Sequence, residues 1–255
     1  MKILFLIGLF FLTACLSPSE VQSATPESSP VPQATATRVI PTIKPVTVSP
    51  TIVPSSMVTV TALPPERYFM EEFDSVPSTW STLYASGDSS RVEILNENSK
   101  LTFEIYSPVT WIYAIYGPFE YERVHIETRV ESLGSQTNSM GLVCHFNEQE
   151  GWYEFNISND GSYSVLYGQW LGEGVATYTP ILDDTSNQIA TGNSINEIGL
   201  SCYDDEIQLY INRQLIRNLN IEHIGLTGGK VGLSLGSFEE PPVILSFDWV
   251  KVSGP

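Results

Sequence analysis

The 255-residue sequence predicts an all-β fold, a two-sheet antiparallel β-sandwich, for the part of the chain that follows residue 65. Two observations carry this reading. Apolar and polar residues alternate with period two in segment after segment, which is how a strand with one buried face reads. Clusters of Asn, Asp, Gly and Pro separate these segments at short intervals, and no long stretch has helical spacing. Many short strands joined by tight turns form a sandwich or a barrel.

The segments follow in order. Lys100 to Tyr106 sets Leu101, Phe103 and Ile105 opposite Thr102, Glu104 and Tyr106. Arg123 to Glu131 sets Val124, Ile126, Thr128 and Val130 opposite His125, Glu127, Arg129 and Glu131. From Gly141 to Asn147, Leu142, Cys144 and Phe146 oppose Val143 and His145. Tyr153, Phe155 and Ile157 oppose Trp152, Glu154 and Asn156, and Ile207, Leu209 and Ile211 oppose Gln208, Tyr210 and Asn212. Asn96-Glu97-Asn98, Asn159-Asp160-Gly161, Asp204-Asp205 and Thr227-Gly228-Gly229 read as turns. Pro241-Pro242 interrupts the chain before a last strand from Val243 to Val252.

The first 65 residues are of another kind. Ile3 to Leu12 is apolar, follows Lys2 and precedes Leu12-Thr13-Ala14-Cys15. It is shorter than the roughly 20 residues a spanning helix needs and fits the apolar core of about 7–15 residues in a signal peptide. This resembles a bacterial lipoprotein signal, residues 1–15. The resemblance implies cleavage before Cys15, lipid (palmitate among its acyl chains) on Cys15, and a protein held on the extracytoplasmic face of a bacterial cell membrane. Residues 16–65 hold twenty-six Ser, Thr or Pro, no aromatic and four charges. Such a segment cannot offset its ordering entropy by burial and reads as a disordered, semi-stiff linker. Residues 66–255 then form the folded head.

The head carries 27 of the 29 acidic residues and 9 of the 12 basic ones, a net charge of about −18. That field repels nucleic acid and anionic headgroups. A monomeric head is expected. With Cys15 assigned to lipid, Cys144 and Cys202 are left as a pair. Both lie on apolar strand faces, beside Leu142 and Leu200, so one core layer holds both and a disulfide between them is expected.

Several segments carry a further resemblance. Phe69-Met70-Glu71-Glu72-Phe73-Asp74 with Trp80, the hairpin Gly141–Cys144 and Trp152–Gly161, Ile207–Asn212 with Leu215-Ile216, and the closing pair Gly229–Leu233 and Ile244–Val252 are similar to the concanavalin A-like (laminin G-like) jelly rolls. One branch of that group resembles 3-keto-disaccharide hydrolases. The resemblance implies two packed antiparallel sheets, one of them curved, and a face or edge that in many members binds carbohydrate. One departure is Arg213 after Asn212, where the family commonly has Asn-Gly in a turn requiring positive φ; a longer or strained turn is expected there.

Enzymatic signatures are few. A glucanase of this superfamily would show Glu-x-Asp-x-Glu along one strand, and no such run exists. Glu127 and Glu131 are about 13 Å apart by strand rise, beyond the carboxylate separations of about 5–9.5 Å used in glycoside hydrolysis, and Arg129 between them suggests a charge ladder. His125, His145 and His223 lack metal-ligand spacing. Jelly rolls of this kind include calcium binders, and Asp74 and Asp248 are the pair such a site would use, since first and last strands often pair. For carbohydrate, the candidates are Trp152, Glu154, Asn156, His145, Gln208 and Tyr210 on polar strand faces, with Tyr167 and Trp170 near a Gly-rich loop. The reading is a lipid-anchored, non-catalytic glycan- or ligand-binding module. Its alternatives are a glycoside hydrolase and a structural or assembly protein of the envelope.

Overall fold

Alternating burial along the chain organises fifteen strands in the computed structural model, which describes residues 64–172 and 174–254. They are β1 (Phe69–Glu71), β2 (Trp80–Ser86), β3 (Val92–Glu97), β4 (Lys100–Ile105), β5 (Thr110–Tyr121), β6 (Val124–Gly134), β7 (Asn138–Asn147), β8 (Gly151–Ile157), β9 (Ser162–Gly172), β10 (Val175–Thr185), β11 (Ser194–Cys202), β12 (Glu206–Ile211), β13 (Gln214–Asn220), β14 (Gly229–Ser237) and β15 (Val243–Ser253). The expected signal peptide, Cys15 and most of the expected linker lie outside the described residues.

All strand pairs are antiparallel. One sheet runs β13-β12-β11-β6-β15-β4-β3, and the other runs β10-β9-β8-β7-β14-β5-β2. Strand β1 completes the first sheet of eight strands. It pairs Phe69 with Val252, taking over the edge of β15 that β4 leaves after Phe247. First and last strands therefore do meet.

The period-two readings of β4, β6, β8 and β12 hold. Leu101, Phe103, Ile105, Val124, Ile126, Val130, Tyr153, Phe155, Ile157, Ile207, Leu209 and Ile211 all enter one core between the sheets. Burial on this scale is the main favourable term in the fold, at roughly 25 cal/mol per Å² of apolar surface. Cys144 of β7 and Cys202 of β11 are bonded across this core, with Cα atoms 6.5 Å apart, so the disulfide ties one sheet to the other.

One local expectation needs correction and a second is met in part. In β7 the alternation breaks at His145, which has φ of 51°. The register shifts between Cys144 and Asn147, a bulge that turns every later side chain over. Phe146 therefore leaves the core face and packs on Trp152, 5.3 Å between centroids, while His145 lies against Tyr153 at 6.0 Å. At Asn212-Arg213 the turn keeps its two-residue form, closed by the Ile211–Gln214 pair. Both turn residues are left-handed, φ 48° and 67°, as this hairpin type requires. Side chains hold it. Asn212 Oδ1 accepts the Glu197 amide at 2.8 Å, Asn212 Nδ2 donates to Gln188 O at 2.7 Å, and Arg213 grips both Glu197 oxygens at 2.6 and 3.1 Å.

Candidate functional site

The second sheet has two packed faces. Its inner face joins the core. Its outer face carries a separate cluster in which Ala85, Tyr113, Ile115, Val143, Phe146 and Trp152 are buried, with Trp111, Trp170 and Tyr178 half-buried over them. Alternation puts them there. Trp111 and Tyr113 are same-face neighbours on β5, as are Trp152, Glu154 and Asn156 on β8, and Ala176 and Tyr178 on β10.

Glycines make room for the rings. A Cβ on Gly168 would stand 2.3 Å from Trp152, and one on Gly236 would stand 2.6 Å from Trp111. Both distances are far inside van der Waals contact, so each indole lies over a bare backbone. Trp152 meets Trp170 at 5.2 Å in a tilted contact and Tyr113 edge-on at 5.2 Å, the latter a geometry that aromatic pairs prefer.

At the centre is Glu154, with no exposed surface. Five side chains donate to it. Trp111 Nε1 (3.0 Å), Asn156 Nδ2 (2.7 Å) and Ser234 Oγ (2.6 Å) reach Oε1, while Tyr113 OH (2.8 Å) and Trp152 Nε1 (3.1 Å) reach Oε2. A buried carboxylate is tolerated when its lone pairs are filled in this way. The Tyr113 and Tyr178 hydroxyls are 2.9 Å apart. Burial, followed by the charge of Glu154, pushes both phenols well above the usual tyrosine range.

Beside this cluster the face opens into a cleft of about 540 Å³. Trp111, Asn156, Ser139 and Phe238 line it, with Asp160, Asp183, Asp184, Glu239 and Glu240 around it. Phe238 stands T-shaped on Trp111 at 6.0 Å. Two buried polar atoms of the lining have no partner, Asn156 Oδ1 and Ser139 Oγ. One end is fixed by a buried network in which Asn138 Nδ2 and Asn159 Nδ2 both donate to Ser132 Oγ, at 2.9 and 2.8 Å.

The sequence candidates divide. Trp152, Glu154, Asn156 and Trp170 come together on this face. Gln208 and Tyr210 do not join them; β12 belongs to the other sheet, where Tyr210 donates to Gln208 Oε1 at 2.6 Å and packs on His125. His145 is buried at the bulge, its Nε2 3.0 Å from Glu122 O. Tyr167 has the parity of Tyr163 and Val165, packs against the core and donates to Glu150 O at 2.6 Å.

Asp74 and Asp248 each have protein partners. Asp248 is held by Lys100 (3.0 Å) and Arg129 (3.2 Å), and Asp74 accepts from Ser99 Oγ at 2.6 Å. Among the described residues no group of three acidic, His or Cys side chains is placed to hold a metal. Glu127 and Glu131 form the expected charge ladder, with Lys251 at 2.6 Å and Lys100 at 3.0 Å. The alternation pattern alone does not single out Trp111, Tyr113, Tyr178 and Ser234. The signals available were Trp111 and Tyr113 opposite Ile112 and Ala114 on β5, and Ser234 between Gly232 and Gly236 on β14.

Comparison with known proteins bears on the fold. No protein-family model and no curated protein matches the chain. Solved structures do. A β-glucanase of Bacillus licheniformis superposes with a TM-score of 0.53 at 15% identity, covering 74% of this chain and 98% of its own. The fold is a concanavalin A-like jelly roll. The laminarinase catalytic domain of Thermotoga maritima MSB8 gives 0.52 at 14% identity over 74% and 99% of the two chains. A glycoside hydrolase family 16 enzyme of Bacteroides ovatus, solved with a G4G4G3G product, gives 0.51 at 11% identity over 72% and 99%.

Proposed function

We propose that this protein engages a polysaccharide chain on the outer face of its seven-stranded sheet, with the cleft beside Glu154 as the main binding position. One observation carries the reading: half-buried Trp111, Trp170 and Tyr178 lie around a donor-saturated glutamate next to an open cleft whose lining residues Asn156 and Ser139 hold buried, unpaired oxygens. Aromatic rings offer flat apolar surface to the C–H faces of a sugar ring, and a few convergent polar groups set its orientation, the usual build of a ligand pocket. The fold is shared with enzymes that act on glucans, which supports the same ligand class without assigning it. Isothermal titration of the protein with gluco-oligosaccharides, beside Trp111→Ala, tests this. Binding by the parent and loss of about tenfold or more in the variant supports it, that ratio being about 1.4 kcal/mol. Absence of binding to any glycan in an array overturns it.

A second reading, that the bound chain is also cut, is favoured by the enzymes this fold resembles. Hydrolysis needs two carboxyl groups flanking the scissile bond at about 5–5.5 or 6.5–9.5 Å. Glu154 would be one, and Asp183, Glu239 or Glu240 at the cleft the other. Against it, Glu154 has every oxygen engaged by a donor and no open face. Release of reducing ends from mixed-linkage glucan or laminarin by the parent, lost in Glu154→Gln, would establish hydrolysis. The proposal extends to placement: lipid on Cys15 holds the head at a bacterial membrane surface. Incorporation of a labelled fatty acid by the parent but not by Cys15→Ala is the expected outcome.

A further inference from the structure

Ligand charge is the point on which the cleft says more than its rings do. Among the described residues it is lined by five carboxyl side chains and by no Lys or Arg. Two of the five have protein partners. Asp184 is paired with Arg217, and Asp160 accepts from the Ser162 amide at 2.8 Å and its hydroxyl at 2.6 Å. Asp183, Glu239 and Glu240 are exposed and make no ion pair within the described residues.

The floor supplies an independent observation. Asn156 and Ser139 are each 3% exposed, and both leave an oxygen unpaired in the cleft lining. The orientation of Asn156 is fixed, because its Nδ2 donates to Glu154, which in this network only accepts. The free atom is therefore the carbonyl oxygen. It lies over Gly141, where a Cβ would stand only 2.1 Å away, one same-face step along β7 from Ser139. A buried acceptor without a donor is costly.

We infer that the cleft takes an amino sugar whose amine is free and protonated, a deacetylated hexosamine unit within a glycan chain. The inference rests on the glycan-binding reading above and adds the charge of the ligand to it. The ammonium supplies donors to Asn156 Oδ1 and a positive charge to Asp183, Glu239 and Glu240, while the ring stacks by Trp111 and Phe238. Charge-assisted hydrogen bonds are about twice as strong as neutral ones. An N-acetyl group removes the charge, and a uronate or sulfate is repelled by the rim. A bare divalent cation is not the fit, since no three acidic, His or Cys side chains of the described residues converge as metal ligands.

The test is titration calorimetry of the full chain with three tetrasaccharides: β-linked glucosamine, its N-acetylated form, and the glucose counterpart. It is run below the pKa of the ligand amine and again well above it. Expected is about tenfold tighter binding of the protonated glucosamine chain, the ratio of one ~1.4 kcal/mol contact. That preference disappears above the amine pKa and in the surface variant Asp183→Asn/Glu239→Gln, which touches no buried group. Equal binding of all three sugars overturns the inference and leaves the glycan reading standing. Binding of none overturns both. A preference that persists in the double variant places the amine elsewhere and also overturns it.

Discussion

Glu154 is the residue whose replacement tests this structure most sharply. Glu154→Leu removes the common acceptor of five donors, of which Tyr113, Trp152, Asn156 and Ser234 are buried. At about 1 kcal/mol net per hydrogen bond, the loss is roughly 5 kcal/mol. Glu154→Gln is the finer probe. Its carbonyl oxygen can keep Trp111, Asn156 and Ser234, the three donors now on Oε1. Its amide nitrogen then faces Tyr113, whose hydroxyl can turn and accept, and Trp152 Nε1, which can only donate. One donor–donor contact replaces one charge-assisted bond, at a cost of about 1.5–3 kcal/mol. For a domain of this size each kcal/mol moves the melting point by about 2–4 °C, so Gln should lower it by roughly 3–12 °C and Leu by roughly 10–20 °C. Urea unfolding followed by far-ultraviolet circular dichroism reads both, with the near-ultraviolet tryptophan signal reporting the outer face. A Gln variant within about 0.5 kcal/mol of the parent, the ordinary range of a surface change, would refute the five-donor account.

Other consequences can be measured alongside. The Cys144–Cys202 bond closes a loop with a sequence separation of 58; in the chain-entropy model its removal by Cys144→Ala/Cys202→Ala costs about 4 kcal/mol, and equal urea midpoints for the two proteins would contradict that. Burial lowers the pKa of His145, and burial likewise lowers that of His125. A lowered folded-state pKa means that stability is full above the unfolded value of about 6.5 and is lost as pH falls through the folded value. Unfolding free energy should therefore drop below about pH 6.5, and His145→Gln should flatten that drop. Gly168→Ala drives a methyl into Trp152, which must move; a loss of about 1–3 kcal/mol together with weaker glycan binding is expected, measured by melting and titration.

Much of the fold was legible because alternation reports burial directly. In β4, β6, β8 and β12 each apolar residue of the pattern entered the core, and the two strand-face cysteines met across it. Alternation fails where one residue is added. The His145 bulge shifts parity without any sign in composition, and Phe146, read as core, instead packs on Trp152 outside it. At the Asn212-Arg213 turn the expected extra length is absent and the expected positive-φ strain is present. Backbone preference alone asks for Gly, but hydrogen bonds from residues far along the chain hold two side-chain-bearing residues at positive φ.

The site was half legible, and the missing half has one cause. Alternation says which side chains of one strand share a face; it does not say which sheet that strand joins. Trp152, Glu154 and Asn156 were found as a set because one strand carries them. Gln208 and Tyr210 have the same pattern but sit in the eight-stranded sheet, so the two polar faces merged into one in the sequence. Glu154 draws its donors from β5, β8 and β14, and nothing local announces that Trp111, Tyr113 and Ser234 will point at it. The glycines hold the remaining information. Gly141, Gly168 and Gly236 are the positions where Asn156, Trp152 and Trp111 lie flat on a neighbouring strand. A row of large side chains over bare backbone keeps the rings down on the sheet and fixes their nitrogens on the carboxylate. The same arrangement leaves Asn156 Oδ1 without a partner among the described residues. In this face, then, the glutamate positions the aromatic surface, and the polar group left for the proposed ligand lies two residues further along β8.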